Sequence, residues 1–269
     1  GFDIIIANPP YKLLDTKDYQ LNRLEQIRKN DVYKPAIEGE LNYFKLFIAK
    51  FLTHLNEDGA STFIFPNSLL GDKTCSKLRK FIFEKNILLK FISYPERDNV
   101  NKRVFKSAKM SVCIAHISKK IEMNHDFELE VWKDREQKEG FNINFDKKFI
   151  QKDLYYRIPS IDKNGIKIYS KILSNPNVIQ LQNTAKVFSG ELHMTFHKKF
   201  FSEKKNSKNS SIILKGANIQ SYYVTNKASQ GKDEFLDAKS FLKENKSSRS
   251  HSFQYNRIVM QGITGVNEK

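Results

Sequence analysis

The chain has 269 residues, 39% hydrophobic and 28% charged, a composition that excludes disorder and fibrous repeats and gives room for one large or two modest domains. Its 46 Lys and Arg against 30 Asp and Glu leave a net charge of +16, more than solubility requires, and point to a polyanionic partner. Cys75 and Cys113 stand in separate apolar stretches and support neither a disulfide framework nor a zinc site. The apolar runs are cut by Lys45, Lys50, Pro66 and Asn67, too short for the roughly 20 residues of a membrane span, and no secretion leader opens the chain, so the reading is a cytoplasmic protein with no membrane partner.

In chain order, Phe2-Asp3-Ile4-Ile5-Ile6-Ala7 is β-branched and apolar with no room before it for a helix or partner strand, and reads as a fully buried parallel strand entered in mid-fold. Asn8-Pro9-Pro10-Tyr11 follows, then a polar, helical stretch around Asp18 to Lys29. Phe44, Phe47, Ile48, Phe51, Leu52 and Leu55 recur at three and four residues, an amphipathic helix closed by Glu57-Asp58-Gly59. A short strand is expected at Ser61 to Phe65, a helix at Thr74 to Glu84, and strands at Leu88 to Ser93, Lys109 to Ser118 and Phe127 to Lys133. This alternation indicates an α/β sheet with covered faces, the doubly wound class.

The polar segment Arg135 to Lys148, with Gly140, reads as a connection, which gives a first domain over 1–148 and a second over 149–269. The second has shorter elements, one good helix at Lys163 to Leu173, and a closing strand at Asn256-Arg257-Ile258-Val259-Met260-Gln261 ahead of Gly262 and Gly265. Residues 141–230 carry 15 Lys and Arg against 5 Asp and Glu, which places the basic surface mainly in the second domain. With a strand at each abrupt end, the expectation is an internal fragment of a longer protein.

In open α/β sheets ligands bind beyond the carboxyl ends of the strands, and Asn8-Pro9-Pro10-Tyr11 stands at such an end. The two prolines make the loop rigid and extended. It can present the Asn8 amide oxygen and the Pro9 carbonyl as two acceptors converging on one amine, with the Tyr11 ring beside them. An aromatic amine is a poor nucleophile because its lone pair is delocalised into the ring; two fixed acceptors on its hydrogens localise that pair and make methyl transfer feasible. Read alone, the same four residues also serve as a turn, a cap and a core ring.

Buried strand, Asn-Pro-Pro-Tyr and then helix is the arrangement of S-adenosylmethionine-dependent amino-methyltransferases, and the chain resembles the gamma-class adenine-N6 DNA methyltransferases, including Type II and fused Type IIG restriction-modification enzymes. Asn42-Tyr43-Phe44-Lys45-Leu46-Phe47 is similar to the family's cofactor-side helix, with Phe44 in place of the usual Tyr, and Gly59-Ala60-Ser61-Thr62-Phe63-Ile64-Phe65-Pro66 to its following strand. Arg103-Val104-Phe105-Lys106 with Met110-Ser111-Val112-Cys113-Ile114 is similar to the segment whose phenylalanine stacks on the extruded base. Val187-Phe188-Ser189-Gly190, Leu214-Lys215-Gly216-Ala217-Asn218-Ile219 and Arg257-Ile258-Val259-Met260-Gln261 resemble landmarks of the specificity domain. The family's glycine-rich cofactor turn and ribose-binding acidic residue precede the Asn-Pro-Pro-Tyr strand, and this chain contains neither.

The resemblance implies that residues 1–148 are the C-terminal half of a doubly wound methyltransferase domain, with an incomplete S-adenosyl-L-methionine pocket and so without activity alone. Residues 149–269 become a smaller mixed α+β target-recognition domain, incomplete at its C-terminus. Asn8, Pro9, Pro10 and Tyr11 are the expected catalytic loop; Tyr11 and Phe105 stack on a base rotated out of duplex DNA; Asn8, Phe44 and Phe47 face the cofactor. Lys102, Arg103, Lys106, Lys198, Lys199, Lys204, Lys205, Lys208 and Lys215 are expected phosphate partners, and Asn206, Asn209, Asn218 and Gln220 candidates for base edges. No metal is expected. The partner is double-stranded DNA, with a restriction endonuclease domain or subunit in the parent system. Two other readings are a methyltransferase acting on RNA bases or a protein glutamine amide, which the basic second domain disfavours in the glutamine case, and a fragment that only binds DNA.

Overall fold

Six strands between Phe2 and Phe145 join in one mixed sheet, in the order β1 (Phe2–Ala7), β2 (Leu55–Pro66), β4 (Val112–Ser118), β3 (Ile87–Tyr94), β5 (Phe127–Trp132), β6 (Gly140–Phe145). The computed structural model describes residues 1–14, 21–119, 126–136, 140–206, 208, 210–220, 222–227 and 231–260. β1 and β2 are parallel, as are β3 and β5; β4 runs antiparallel to both β2 and β3, and β6 antiparallel to β5. Helix α1 (Leu21–Lys29) covers the described part of the helical stretch expected around Asp18 to Lys29, and two crossings are helical. α2 (Tyr43–His54) leads into β2, and α3 (Ser76–Lys85) leads into β3.

The core follows from the strand period of two. Phe63 and Phe65 of β2, Phe91 of β3, and Cys113, Ala115 and Ile117 of β4 point to one face and are buried there with Phe44, Ile48 and Leu52 of α2 and Leu78 and Ile82 of α3. The opposite face carries Thr62, Ile64, Ile114, His116 and Lys90, partly open, with a 2.8 Å Thr62–His116 hydrogen bond and Lys90 paired to Glu128 and Glu130. Among the described residues, the double coverage expected of the sheet is therefore seen on one face.

Three local expectations are corrected. β1 is an edge strand, not a buried one: Ile4 is 72% exposed and Ile6 80%, because β1 has β2 as its one neighbour and only Ile5 and Ala7 reach the core. Helix α2 ends at His54, and Glu57-Asp58-Gly59 lies inside β2, a 12-residue strand. A Cβ at Gly59 would stand 2.8 Å from the Phe2 carbonyl oxygen, so the close approach of β1 favours glycine there over the helix-terminating role its neighbours suggested. The polar segment after Arg135 contains β6, whose Asn142 and Asn144 alternate with Ile143 and Phe145 opposite β5. A short helix, α4 (Lys147–Gln151), follows, capped by Asp146.

The chain divides into two compact units at Val178/Ile179, 30 residues beyond the expected boundary at 148. Arg79 of α3 explains the position. Its side chain is 1% exposed and donates to the carbonyls of Leu69 (2.8 Å), Asp72 (2.9 Å) and Tyr155 (3.0 and 2.8 Å), while the Ile158 amide donates to the Leu70 carbonyl at 2.9 Å. Ile150 and Ile158 join the same core, and Asp153 accepts from Arg157 and Tyr169, the latter on α5 (Lys163–Ser174).

The second unit, Ile179–Lys269, is a small α+β body. β7 (Phe201–Ser202), β11 (Phe235–Asp237) and β8 (Ser210–Ile212) form a three-stranded antiparallel sheet, and β9 (Ile219–Gln220) pairs with β10 (Tyr223–Val224). Helix α6 (Ala238–Glu244) supplies Phe241, packed edge-on to Phe200 at 5.6 Å, with Ile213 and Leu236 completing the core. Residues 256–260 form no strand, and Gln261, Gly262 and Gly265 lie outside the described residues. Among the described residues no helix is long and apolar enough to cross a membrane.

Candidate active site

The strand directions bring three segments to one end of the sheet. β1 and β2 are parallel, so Asn8 and Pro66 leave at the same end, and because β4 opposes both β2 and β3, with Val112 paired to Pro66 and to Tyr94, the loop 95–111 departs and returns there. The Asn67 amide donates to the Ser111 carbonyl at 3.1 Å, and the Ser93 hydroxyl to the Asn67 side chain at 3.0 Å, which pins that loop to the end of β2.

Asn8 and Pro10 are exposed, Pro9 is buried and Tyr11 is half-buried. The Tyr11 ring lies 6.3 Å from Phe105, centroid to centroid, tilted by 58°. Two residues 94 positions apart in the chain are thus brought together, ring beside tilted ring, at the strand end. The Tyr11 hydroxyl points inward and has no hydrogen-bond partner among the described residues; burial, with Cys113 nearby, pushes it well above the usual phenol range. Tyr11 is held by its ring and its backbone, not by its oxygen.

The loop that carries Phe105 is a tight turn. The Lys102 and Arg103 amides donate to the Asn99 carbonyl at 3.1 and 2.9 Å, and Glu96 accepts from the Asn99 and Asp98 amides at 3.0 and 2.8 Å, which lowers its carboxyl below the ordinary range. The Arg103 guanidinium is buried and donates to the Arg97 and Lys106 carbonyls. Arg103 therefore braces the loop instead of meeting phosphates, a correction to its expected role; Lys102 and Lys106 are exposed beside it.

On the cofactor side the expectation divides. Phe44 is buried in the core and stacks on Phe65 at 6.3 Å, so it does not line an open surface. Phe47, on the next turn, is half-buried and packs edge-on to Phe51 at 5.4 Å. Its helix is fixed by Lys45, 2% exposed, whose ammonium donates to the carbonyls of Glu38 (2.8 Å), Glu40 (2.9 Å) and Thr74 (3.1 Å); burial pulls it below the usual lysine range. Asn42 caps the helix and its side chain donates to the Tyr11 carbonyl of the Asn8–Tyr11 loop, a contact between residues 31 apart that the sequence did not announce.

In the second unit Lys198, Lys204, Lys205, Lys208, Asn206 and Gln220 are exposed. Lys199 pairs with Glu244, and Lys215 with Glu234 at 2.6 Å and the Lys232 carbonyl at 2.9 Å. Asn218 is corrected: it is 1% exposed, its amide accepts from Lys215 and donates to the Thr225 carbonyl at 3.1 Å, and it shapes the β9–β10 hairpin without an edge left for a base. Asn209 lies outside the described residues. Residues 179–269 hold 15 Lys and Arg against 7 Asp and Glu, half of the surplus of +16 in a third of the chain; the other half lies in residues 1–178, so the basic excess is denser in this unit but not mainly there. No cluster of metal-binding side chains occurs among the described residues.

Residues 1–101, which carry the Asn8–Tyr11 loop and helix α2, match the Eco57I restriction-modification methylase family. The curated relatives are type II restriction-modification proteins. The Type II restriction enzyme and methyltransferase RM.Eco57I of Escherichia coli is 26% identical over 191 residues, 68% of this chain and 18% of that protein. A putative type II restriction enzyme and methyltransferase of Methanocaldococcus jannaschii, RM.MjaORFECS2P, is 33% identical over 129 residues, 48% of this chain and 10% of that protein. The chain thus spans less than a fifth of the length of either relative. Among solved structures, the type IIG restriction endonuclease BpuSI superposes with a TM-score of 0.45 at 14% identity, covering 65% of this chain and 22% of that one. The expected resemblance to restriction-modification methyltransferases is borne out.

Proposed function

We propose that this chain is the acceptor-holding part and the recognition module of a DNA methyltransferase of a restriction-modification system, acting on the N6 amine of an adenine rotated out of the duplex. The observation that carries the reading is the Asn8–Tyr11 loop at the end of β1 with its Tyr11 ring opposite Phe105. Asn8 accepts from the target amine while the two aromatic faces hold the ring. A base between parallel rings needs two contacts of about 3.5 Å, roughly 7 Å in all, so the pair opens slightly and turns parallel when the base enters.

S-adenosyl-L-methionine supplies the electrophilic methyl group when bound. The residues present fit one side of such a group: Asn8 is exposed and Phe47 half-buried, both open to a ligand, whereas Phe44 is buried. The exposed face of β1, with Phe2, Ile4 and Ile6, is the surface on which the remaining half of a doubly wound methyltransferase domain would pack. The second unit, with its exposed lysines, is read as the target-recognition module. The names of both relatives combine a restriction enzyme with a methyltransferase, which supports a nuclease in the whole protein.

The test is methyl transfer to adenine in duplex DNA by the whole protein. Asn8→Ala is expected to lower kcat by about two orders of magnitude or more with DNA binding retained. DNA affinity of this chain is expected to fall steeply with salt, because each neutralised phosphate adds to the slope. Near-normal methylation by Asn8→Ala, or affinity that barely responds to salt, contradicts the reading.

A further inference from the structure

We infer that Asn42 is a positioning residue that sets the orientation of the Asn8–Tyr11 loop and couples it to helix α2. The inference rests on the methyltransferase reading for its catalytic consequence and on geometry alone for the tether.

Asn42 is the N-cap of α2, in extended backbone at φ −126° and ψ 138°. Its side-chain oxygen accepts from the Phe44 amide at 3.1 Å, and its side-chain nitrogen donates to the Tyr11 carbonyl at 3.3 Å. Around it the backbone closes a short ladder: the Leu14 amide donates to the Leu41 carbonyl at 2.9 Å, the Tyr43 amide to the Lys12 carbonyl at 3.1 Å, and Leu13 bridges Asn42 in antiparallel register. The far side of this ladder is itself fixed, because Lys45 holds the carbonyls of Glu38, Glu40 and Thr74. The loop that ends in Tyr11 is therefore tied to a segment braced by its own hydrogen bonds.

The residue type follows from the double task. A helix N-cap needs an acceptor, and Asp, Ser, Thr or Asn supplies one. The Tyr11 carbonyl needs a donor at the same place. An ionised Asp has no donor, and a hydroxyl offers one atom for both duties; the Asn amide offers a separate oxygen and nitrogen on one rigid plane. The helix whose next turn carries Phe47 and the loop that carries Asn8 and Tyr11 thus meet at one side chain, so a displacement of either is transmitted to the other.

The experiment uses Asn42→Asp in the whole protein, because the carboxylate keeps the cap and removes the donor. We expect an unchanged melting temperature, about tenfold faster hydrogen exchange of the Leu14 amide, and kcat for methyl transfer lowered about tenfold with KM for DNA and for S-adenosylmethionine altered less than twofold. Asn42→Ala, which loses cap and donor together, should add a fall in melting temperature. Wild-type exchange at Leu14 in Asn42→Asp overturns the tether, whether or not methylation is observed. Faster exchange with an unchanged kcat overturns the positioning role. If the wild-type protein transfers no methyl group to adenine, the methyltransferase reading fails, and the exchange measurement still decides the tether.

Discussion

Tyr11→Phe removes a single oxygen from the candidate site. That oxygen is buried and has no hydrogen-bond partner among the described residues. An unsatisfied buried hydroxyl costs about 1–3 kcal/mol. The void left by its removal is on the order of 10 Å³, which at about 24 cal/mol per Å³ returns only about 0.2 kcal/mol. The variant should therefore be more stable by about 1–2 kcal/mol, raising the melting temperature of a unit of this size by about 2–8 °C. The ring face opposite Phe105 is unchanged, so methyl transfer by the whole protein should stay within about threefold of the wild type, far from the two orders of magnitude that loss of a preorganised polar group costs. Tyr11→Ala is the contrast, since it removes a stacking face of about 1–3 kcal/mol and should reduce the fluorescence of 2-aminopurine placed at the target position. Differential scanning calorimetry and single-turnover methylation decide the matter. A lower melting temperature for Tyr11→Phe, or a hundredfold loss of rate, would refute the claim that the ring alone acts.

Arg79→Met leaves three carbonyls without their buried donor and should destabilise the first unit by about 3 kcal/mol or more, seen as a fall in melting temperature of about 6–12 °C; a shift within about 2 °C would contradict the bracing role. Asp153 is 2% exposed; burial works to raise its pKa, but hydrogen bonds from Arg157, Tyr169 and the Tyr155 and Arg157 amides outweigh that and hold it below the ordinary value. A carboxyl lowered on folding stabilises above its unfolded pKa of about 3.9 and loses that contribution as pH falls through the folded value. Asp153→Asn should thus melt lower at neutral pH and show a shallower decline on acidification below about pH 4, checked by thermal melts from pH 3 to 8; parallel curves would remove Asp153 from the account.

Helices and central strands could be read from periodicity, because a three-to-four repeat in Phe44 to Leu52 and alternation in Val112 to Ser118 have one stable solution each. Burial of β1 could not, since a β-branched run specifies a strand but not how many neighbours it has. β6 was hidden because Asn142 and Asn144, facing outward, made an alternating strand look like a polar linker. At the candidate site, the Asn-Pro-Pro-Tyr segment stood out because it is local. Its partner did not: with 21 phenylalanines in the chain, only the resemblance singled out Phe105, and the closing of loop 95–111 depends on the antiparallel placement of β4. The roles of Arg103 and Asn218 are hidden in the sequence for one shared reason. A charged or amide side chain suggests a solvent-facing partner, whereas each of these turns inward to satisfy backbone groups of its own loop.

The Arg79 clasp also decides where such a protein can be cut and rejoined. Residues 149–178 are locked by Tyr155 and Ile158 to the sheet unit, so a crossover at residue 148 would tear away a piece of that unit's core and strand an arginine among unsatisfied carbonyls. Val178/Ile179 is where the two compact units divide. A splice that keeps the sheet unit whole therefore falls after the clasp, and the 91 residues from Ile179 to Lys269 are the piece that can be exchanged as a unit.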